Sequence, residues 1–591
     1  VISAEDRRHS LKSIRRLTIL AQDPAVLING RLVRAQVEIP AEELLPGPCG
    51  YRVNVIDYDA SANLLYQPLT LGSALTDEDD PYKDHSDADL LADPRFHAQN
   101  AYAISMRILA RFEFALGRRI PWGCAGHQLH IAPHAFADPN AFYSREDRGL
   151  FFGYFAVPKV DGAGHDTVFT CLSHDIVAHE TTHALLDGLR AGFMEPSLPD
   201  QAAFHEGFAD VVALLSIFAL PETIRRLIAG DDDSPLVDEA RLTEASLRQS
   251  ALFGLAKQMG TALSGIRGQA LRRSVELVPG RDYLSDPEFL EEHARGELVV
   301  AAMLRAFLAI WVQRLSRLGT IGPGQKNLSL VIEEGARAAD HLLTIAIRAI
   351  DYCPPVDLSF SDYLSALLTI DREVVPDDRY GYRLALLDSF ASYGIRPSHN
   401  AGSDGTWKRC DRTFVHSRTH FDSMLRDREE VFRFVWENRV PLEIGDVGYI
   451  EIQSVRPSIR VAPDGFILRE TIVEYVQSLT ATAGELGTTY NVSVPDGVPK
   501  WKPLRILGGG TLIFDEYGQV KYQIAHHLNK SAADREWQAR RLQYLSDRGS
   551  LDLQVDMRGR FALLHMTRAT DGGAVPDGPP SRPGAKERDH G

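Results

Sequence analysis

The sequence predicts an α+β protein of several domains. Three observations carry this. The chain has 591 residues, too many for one hydrophobic core. Its first part and its last third hold segments that alternate apolar and polar residues, the period of a half-buried strand. Between them, from 171 to 396, most segments carry apolar residues at helical spacing.

Taken in order, residues 10 to 75 look β-rich: "GRLVRAQVEI" and "YRVNVIDYDA" alternate around the turn-forming "LLPGPCG". "DEDDPYKDHSDAD" reads as an acidic loop. Together these make an N-terminal β-rich region over 1–90. Within 91–170, "HAQNAYAISMRILARFEFAL" is helical by its apolar spacing and "HQLHIAP" reads as a strand. The helical region 171–396 holds "CLSHDIVAHETTHALLDGLR", "QAAFHEGFADVVALLSIFAL", "RGELVVAAMLRAFLAIWVQRL" and "LSLVIEEGARAADHLLTIAIRAI". The polar "PSHNAGSDGTWKRC", 397–410, reads as a linker. Residues 411–570 read as a separate α+β domain. The Pro- and Gly-rich tail, 571–591, has almost nothing to bury and is expected to be disordered. "GGGT" at 508–511 lacks the lysine of a phosphate-binding loop and reads as a turn. His526 and His527 are adjacent, so on a strand they face opposite ways and make poor co-ligands. "REWQARRLQYL" reads as a solvated amphipathic helix face.

Composition narrows the function. The formal net charge of −16 disfavours general binding to nucleic acid or anionic membranes. No run of 18 apolar residues occurs, so no transmembrane segment is expected. Residues 1–20 lack the apolar core and small-residue cleavage site of a secretory signal. The five cysteines are scattered, odd in number and free of CxxC spacing. Reduced thiols, and with them a cytoplasmic location, are the expectation.

"SHDIVAHETTHALLDGL", 173–189, carries the chemistry. Helical spacing puts His179 and His183 about 40° apart around the axis and one turn apart, so both imidazoles can reach one ion. Glu180 stands beside them, where a carboxylate can deprotonate a zinc-bound water. The competing reading is a solvated helix face that happens to carry two histidines. A catalytic zinc needs a third protein ligand. "HEGFAD" begins 22 residues after His183 and offers one in Glu206. Asp210, one turn on, can accept from the outer nitrogen of a zinc histidine. Two carboxylates on the apolar helix "ADVVALLSIFAL" are costly to bury without such partners; the rival is an acidic helix start favoured by the helix dipole.

With both motifs in place, the chain resembles the thermolysin-like gluzincin metallopeptidases. "DPNAFYS" at 138–144 looks like the family's edge-strand segment. "FFGY" and "SHDIVAHETTHALLD" follow in the family's order. "HAQNAYAISMRILARF" is similar to the long helix of its N-terminal lobe, and "PPVDLSFSDYLSALLTIDREVV" with "SFASYGI" to its closing helices. The resemblance covers about residues 90 to 396. It implies a two-lobed catalytic unit with the zinc site between a β-rich and a helical lobe. It implies that His179, His183 and Glu206 bind zinc, that Glu180 is general base and proton shuttle, and that Asp210 orients His179. Asn140 and the backbone of Ala141 would hold an extended peptide. Arg272, with Arg273 as rival, would meet a substrate carbonyl, and His293 would stabilise the oxyanion.

The chain also departs from the family. Phe193 and Met194 sit near the place of a tyrosine that donates to the oxyanion, and losing one such donor typically costs about a hundred- to thousandfold in rate. Asp175 matches a calcium ligand, but the other calcium carboxylates do not line up, so no double calcium site is expected. Asp175 is otherwise a helix-start charge. The expectation is therefore a zinc metalloendopeptidase acting on peptide or protein substrates. Its rivals are a zinc-binding pseudopeptidase, and a scaffold whose C-terminal domain binds a protein partner.

Overall fold

The computed structural model describes residues 14–551, apart from 25–26, 29, 73–79, 125, 159–163, 196, 230–233, 250–273, 275 and 463–464. The protein is mixed α+β, with several sheets and long helices. The expected tail lies outside the described residues, as do Arg272 and Arg273.

Strands β1 (Ile14–Leu20) and β2 (Arg34–Pro40) pair antiparallel. Leu17, Ile19, Val37 and Ile39 are buried, as the alternation predicts. Strand β3 is Val53–Val55. Helix α1 (Asp87–Ala92) forms inside the expected acidic loop because Ser86 and Asp89 close a capping box. Helix α2 (Pro94–Leu116) starts on the Asp93 side chain, with proline in its first turn. Strands β4 (Leu129–Phe136), β5 (Ala141–Ser144), β6 (Gly149–Pro158) and β7 (His165–Phe169) complete a mixed sheet with β3, ordered β7-β6-β4-β3. Strand β5 pairs antiparallel with β6. Asn100 on α2 joins three elements: its Oδ1 accepts from Leu20 N–H and its Nδ2 donates to the Cys171 carbonyl, both at 2.9 Å.

Helices α3 (His174–Leu189), α4 (Pro199–Phe218), α5 (Pro221–Ala229), α6 (Glu292–Leu315), α7 (Leu328–Ala349), α8 (Phe360–Val374) and α9 (Tyr382–Ala391) follow. Helix α6 is long and apolar enough to cross a membrane, yet 78% of its most apolar stretch is buried inside the protein. It packs on α4, and the two backbones nearly touch at Gly207 and Gly296. A Cβ on Gly207 would lie 2.6 Å from the Gly296 carbonyl oxygen, so only glycine permits this crossing. The contact brings the start of α6 beside the first half of α4.

Beyond residue 396 the fold is again α+β. Residues 397–410, expected as a linker, pack closely: Trp407 is buried, and its indole N–H donates to the Tyr352 carbonyl at 2.9 Å. After helix α10 (Arg428–Glu437), strands β8 (Tyr449–Val461), β9 (Ile467–Thr482), β10 (Pro503–Phe514) and β11 (Val520–His526) form an antiparallel sheet in sequence order. Helix α11 (Ala532–Asp547) buries Leu542 and Leu545.

The reading of "GGGT" as a turn is overturned: Gly508, Gly509 and Gly510 lie inside β10. A Cβ on Gly508 would meet the Leu528 backbone at 2.6 Å, and one on Gly510 the Tyr475 ring. The glycines mark close approach within the sheet rather than a change of direction.

This sheet sits on the helical region through buried polar contacts. Ile513, Tyr522 and Ile524 belong to the same apolar core as the helices. The Ser458 hydroxyl donates to the Leu116 carbonyl at 2.6 Å and Thr511 to that of Cys353 at 2.7 Å. Asp351 is buried between Arg118, at 2.6 Å, and Arg460, which also reaches Glu470 at 2.5 Å. Desolvation opposes ionisation of Asp351, but the two guanidinium groups outweigh it and hold its carboxyl well below the ordinary range.

The adjacent histidines at the end of β11 part company. His526 Nε2 lies 3.0 Å from Asp362 Oδ2 on α8, while His527 reaches toward Glu443 at 3.5 Å. Burial disfavours the His526 imidazolium, but Asp362 outweighs this and raises its pKa. Burial likewise opposes the Asp362 charge, and His526 reverses that and lowers its pKa. The pair therefore stabilises the fold most between the ordinary carboxylate and imidazole values, about pH 4 to 6.5. Its contribution is lost as pH rises through the raised His526 pKa, and as pH falls through the lowered Asp362 pKa. In His526→Gln the decline of melting temperature between about pH 6 and 9 is expected to be shallower than in the parent chain. An unchanged slope would remove this pair from the account.

Candidate metal centre

Helix α3 is buried almost throughout, including His179, Glu180 and His183. Its polar residues therefore need partners. Thr181 and Thr182 donate back to the carbonyls of Val177 and Ala178, both at 2.7 Å. Thr181 also meets Ser105 of α2 at 2.9 Å. The first two satisfy the hydroxyls within the helix, and the third ties this face of α3 to α2.

His179 and His183 bring their Nε2 atoms to 2.7 Å of each other. Glu206 arrives from α4, with Oε2 at 3.6 Å from His179 Nε2 and Oε1 at 3.8 Å from His183 Nε2. One ligand atom from each of the three residues lies within 4.8 Å of the others, close enough for one ion to touch all three. All three side chains are buried.

The outer nitrogens have their own partners. Asp210, one turn beyond Glu206, places Oδ1 at 2.6 Å from His179 Nδ1. That bond sets the tautomer with the proton on Nδ1 and leaves Nε2 as a lone pair facing the centre. His183 Nδ1 meets His205 Nδ1 at 2.7 Å, with the rings stacked at 4.8 Å. His205 was given no role by the sequence. Its Nδ1 can accept from His183 as Asp210 accepts from His179, and its one signal is its place beside Glu206 on the helix facing α3. His205→Ala and Asp210→Ala are each expected to weaken zinc affinity about 10- to 100-fold. Competition with a chromophoric chelator measures this, and affinity unchanged in both would mean that neither partner orients a ligand.

His293 opens α6, and the Gly207–Gly296 contact brings it to the centre. Its Nε2 lies 3.3 Å from Glu206 Oε2, and its Nδ1 lies 3.1 Å from Glu291 Oε1. Its side chain keeps 22% of its exposure and that of Asp210 18%, whereas His179, His183 and Glu206 keep 4% or less. Glu180 reaches β5, where its Oε2 accepts the Tyr143 N–H at 3.0 Å. Among the described residues only one edge of β5 is paired with another strand. Tyr143 donates to Glu180 from the unpaired edge, so the main-chain groups of Ala141, two residues earlier, face the same way. Asn140 braces the start of this strand: its Oδ1 accepts the Ala141 N–H and its carbonyl accepts the Gly153 N–H, both at 2.8 Å. Burial, and then Asp187, push the Tyr143 phenol well above its usual pKa, so it remains a donor to Asp187 at 3.0 Å.

Phe193 and Met194 are buried in the turn after α3, with the Phe193 ring edge-on to Phe204 at 5.9 Å. Neither side chain can donate to an oxyanion. Asp175 lies in the first turn of α3 and is buried.

No protein-family model matches this chain, and no curated protein matches it.

Proposed function

We propose that the chain is a zinc-dependent metallopeptidase of thermolysin-like architecture, in which His179, His183 and Glu206 hold the ion. One observation carries the reading: two histidines and a glutamate from two helices converge within 4.8 Å, with Asp210 on the outer nitrogen of His179. That is the donor set and outer-sphere support of a catalytic zinc with one open position. Zinc bound there would acidify a water and polarise a peptide carbonyl.

The chain's own groups do the rest. Glu180 takes the proton of the attacking water and returns it to the leaving amine. The Ala141 carbonyl, on the edge of β5 away from β6, receives an N–H of an extended peptide, while the Ala141 and Tyr143 N–H groups stay with Asn140 and Glu180. His293 donates to the oxygen that gains charge, and Phe193 supplies no second donor.

His183→Ala tests the reading. It should lose zinc and hydrolysis together, and a chelator should reproduce the loss in the parent chain until zinc is restored. Hydrolysis that survives both treatments would sink it. The apolar Phe193 favours one second reading, a zinc protein without turnover, which predicts zinc binding with no cleavage of any peptide.

A further inference from the structure

A second group of ligand atoms stands apart from this centre. His97 on α2, His134 on β4 and Cys171, in the short turn Thr170–Leu172 before α3, place one ligand atom each within 4.8 Å of the others. All three side chains are buried. Cys171 precedes His179 by eight residues, about 12 Å at helical rise, so the two groups do not share an ion.

The hydrogen bonds of the two imidazoles do not balance without a cation. His134 Nδ1 lies 2.8 Å from Asp57 Oδ2 and 3.0 Å from Oδ1, and a carboxylate only accepts. His97 Nε2 lies 3.0 Å from the Leu91 carbonyl oxygen, which also only accepts. Both outer nitrogens therefore carry the proton of a neutral ring. The inner nitrogens, His97 Nδ1 and His134 Nε2, are then two bare lone pairs facing each other at 2.8 Å. Two acceptors hold that position only with positive charge between them, either an extra proton or a metal ion.

The third group chooses between these. A shared proton has no use for a sulfur, whereas a thiolate selects a soft or borderline cation. Zinc holds nitrogen at about 2.0 Å and sulfur at about 2.3 Å, which sets ligand atoms about 3.3 to 3.6 Å apart, so the inner nitrogens, 2.8 Å apart, would separate by about 0.5 Å to take the ion. Asp57 on the outer nitrogen of His134 repeats the carboxylate–histidine arrangement of a metal ligand. The rings of Tyr66 and Phe169, with centroids 4.9 and 5.2 Å from that of His134, wall the group with apolar surface.

We propose that His97, His134 and Cys171 form a second metal site, for zinc or a like borderline cation, that ties α2, β4 and the entry of α3 together. The inference does not depend on the proposed peptidase activity.

Cobalt(II) substitution of the full chain tests it, because of the two groups only this one offers sulfur. The cobalt-loaded chain is expected to bind about two ions and to show thiolate-to-cobalt charge-transfer absorption. His183→Ala should remove one ion and keep that absorption. Cys171→Ser should remove the absorption and leave the other ion in place. A cobalt-saturated parent chain with no thiolate band overturns the proposal without any variant, and would mean that the two histidines share a proton. A band that survives Cys171→Ser overturns it too, by assigning the sulfur elsewhere.

Discussion

Glu180→Gln is expected to leave zinc binding intact and to cut peptide hydrolysis by about a hundred- to ten-thousandfold, the usual worth of a positioned proton-transfer group. The amide has nearly the same shape and its oxygen can still accept the Tyr143 N–H that the carboxylate accepts at 3.0 Å. What it cannot do is take a proton from water. The comparison is made on the rate with saturating peptide and on metal content in the same preparation. A fall in rate with unchanged zinc assigns the proton transfer to Glu180. Equal loss of both would make Glu180 a support of the metal site, and full activity would make it a bystander.

The largest expected stability loss lies outside that centre. Arg460→Met removes the guanidinium that reaches Asp351 and Glu470, both buried. Burial disfavours the Arg460 charge, yet Asp351 and then Glu470 outweigh it and raise its pKa. Breaking a buried pair by removing one partner typically costs about 3–5 kcal/mol, because the surviving charge stays in a site that cannot solvate it. Asp351 keeps Arg118 at 2.6 Å and Glu470 keeps Lys521 at 2.8 Å, which sets the expectation at the lower end, about 3 kcal/mol. Denaturant titration reads the loss as a lower midpoint. Adding Glu470→Gln to Arg460→Met should recover part of it, since that charge then disappears while Lys521 keeps Glu373. A midpoint that does not move in Arg460→Met would mean that water already solvates the network.

What the sequence revealed follows from the range of each interaction. His179, Glu180 and His183 share one helix, so their relation is fixed by the helical repeat alone. Glu206 and Asp210 were legible for the same reason, one turn apart on the next helix. His205 was not: its partner His183 is on another helix, and only the packing of α3 on α4 joins them. The placement of His293 beside Glu206 rests on Gly207 and Gly296, which look like ordinary interruptions of two helical patterns.

The misread glycines of β10 teach the same lesson. Locally, three glycines signal a change of direction. In the fold their missing side chains make room for Tyr475 and for the chain at Leu528. Residues 397–410 looked like a linker because they are small and polar, but Trp407 anchors them. Arg460 sits on an alternating strand, where a charge reads as solvent-facing, and the helical region covers it. His97, His134 and Cys171 come from separate elements with no common spacing, so no motif could announce them.

The central claim, that the helix pair α3–α4 houses a hydrolytic zinc, is tested most directly by one measurement. A mixed peptide library is incubated with the zinc-loaded chain, and newly formed termini are counted by mass spectrometry with and without chelator. The account predicts internal cleavage that disappears on chelation and returns with zinc. Zinc retained at the His179–His183–Glu206 centre with no new termini in either sample would contradict it.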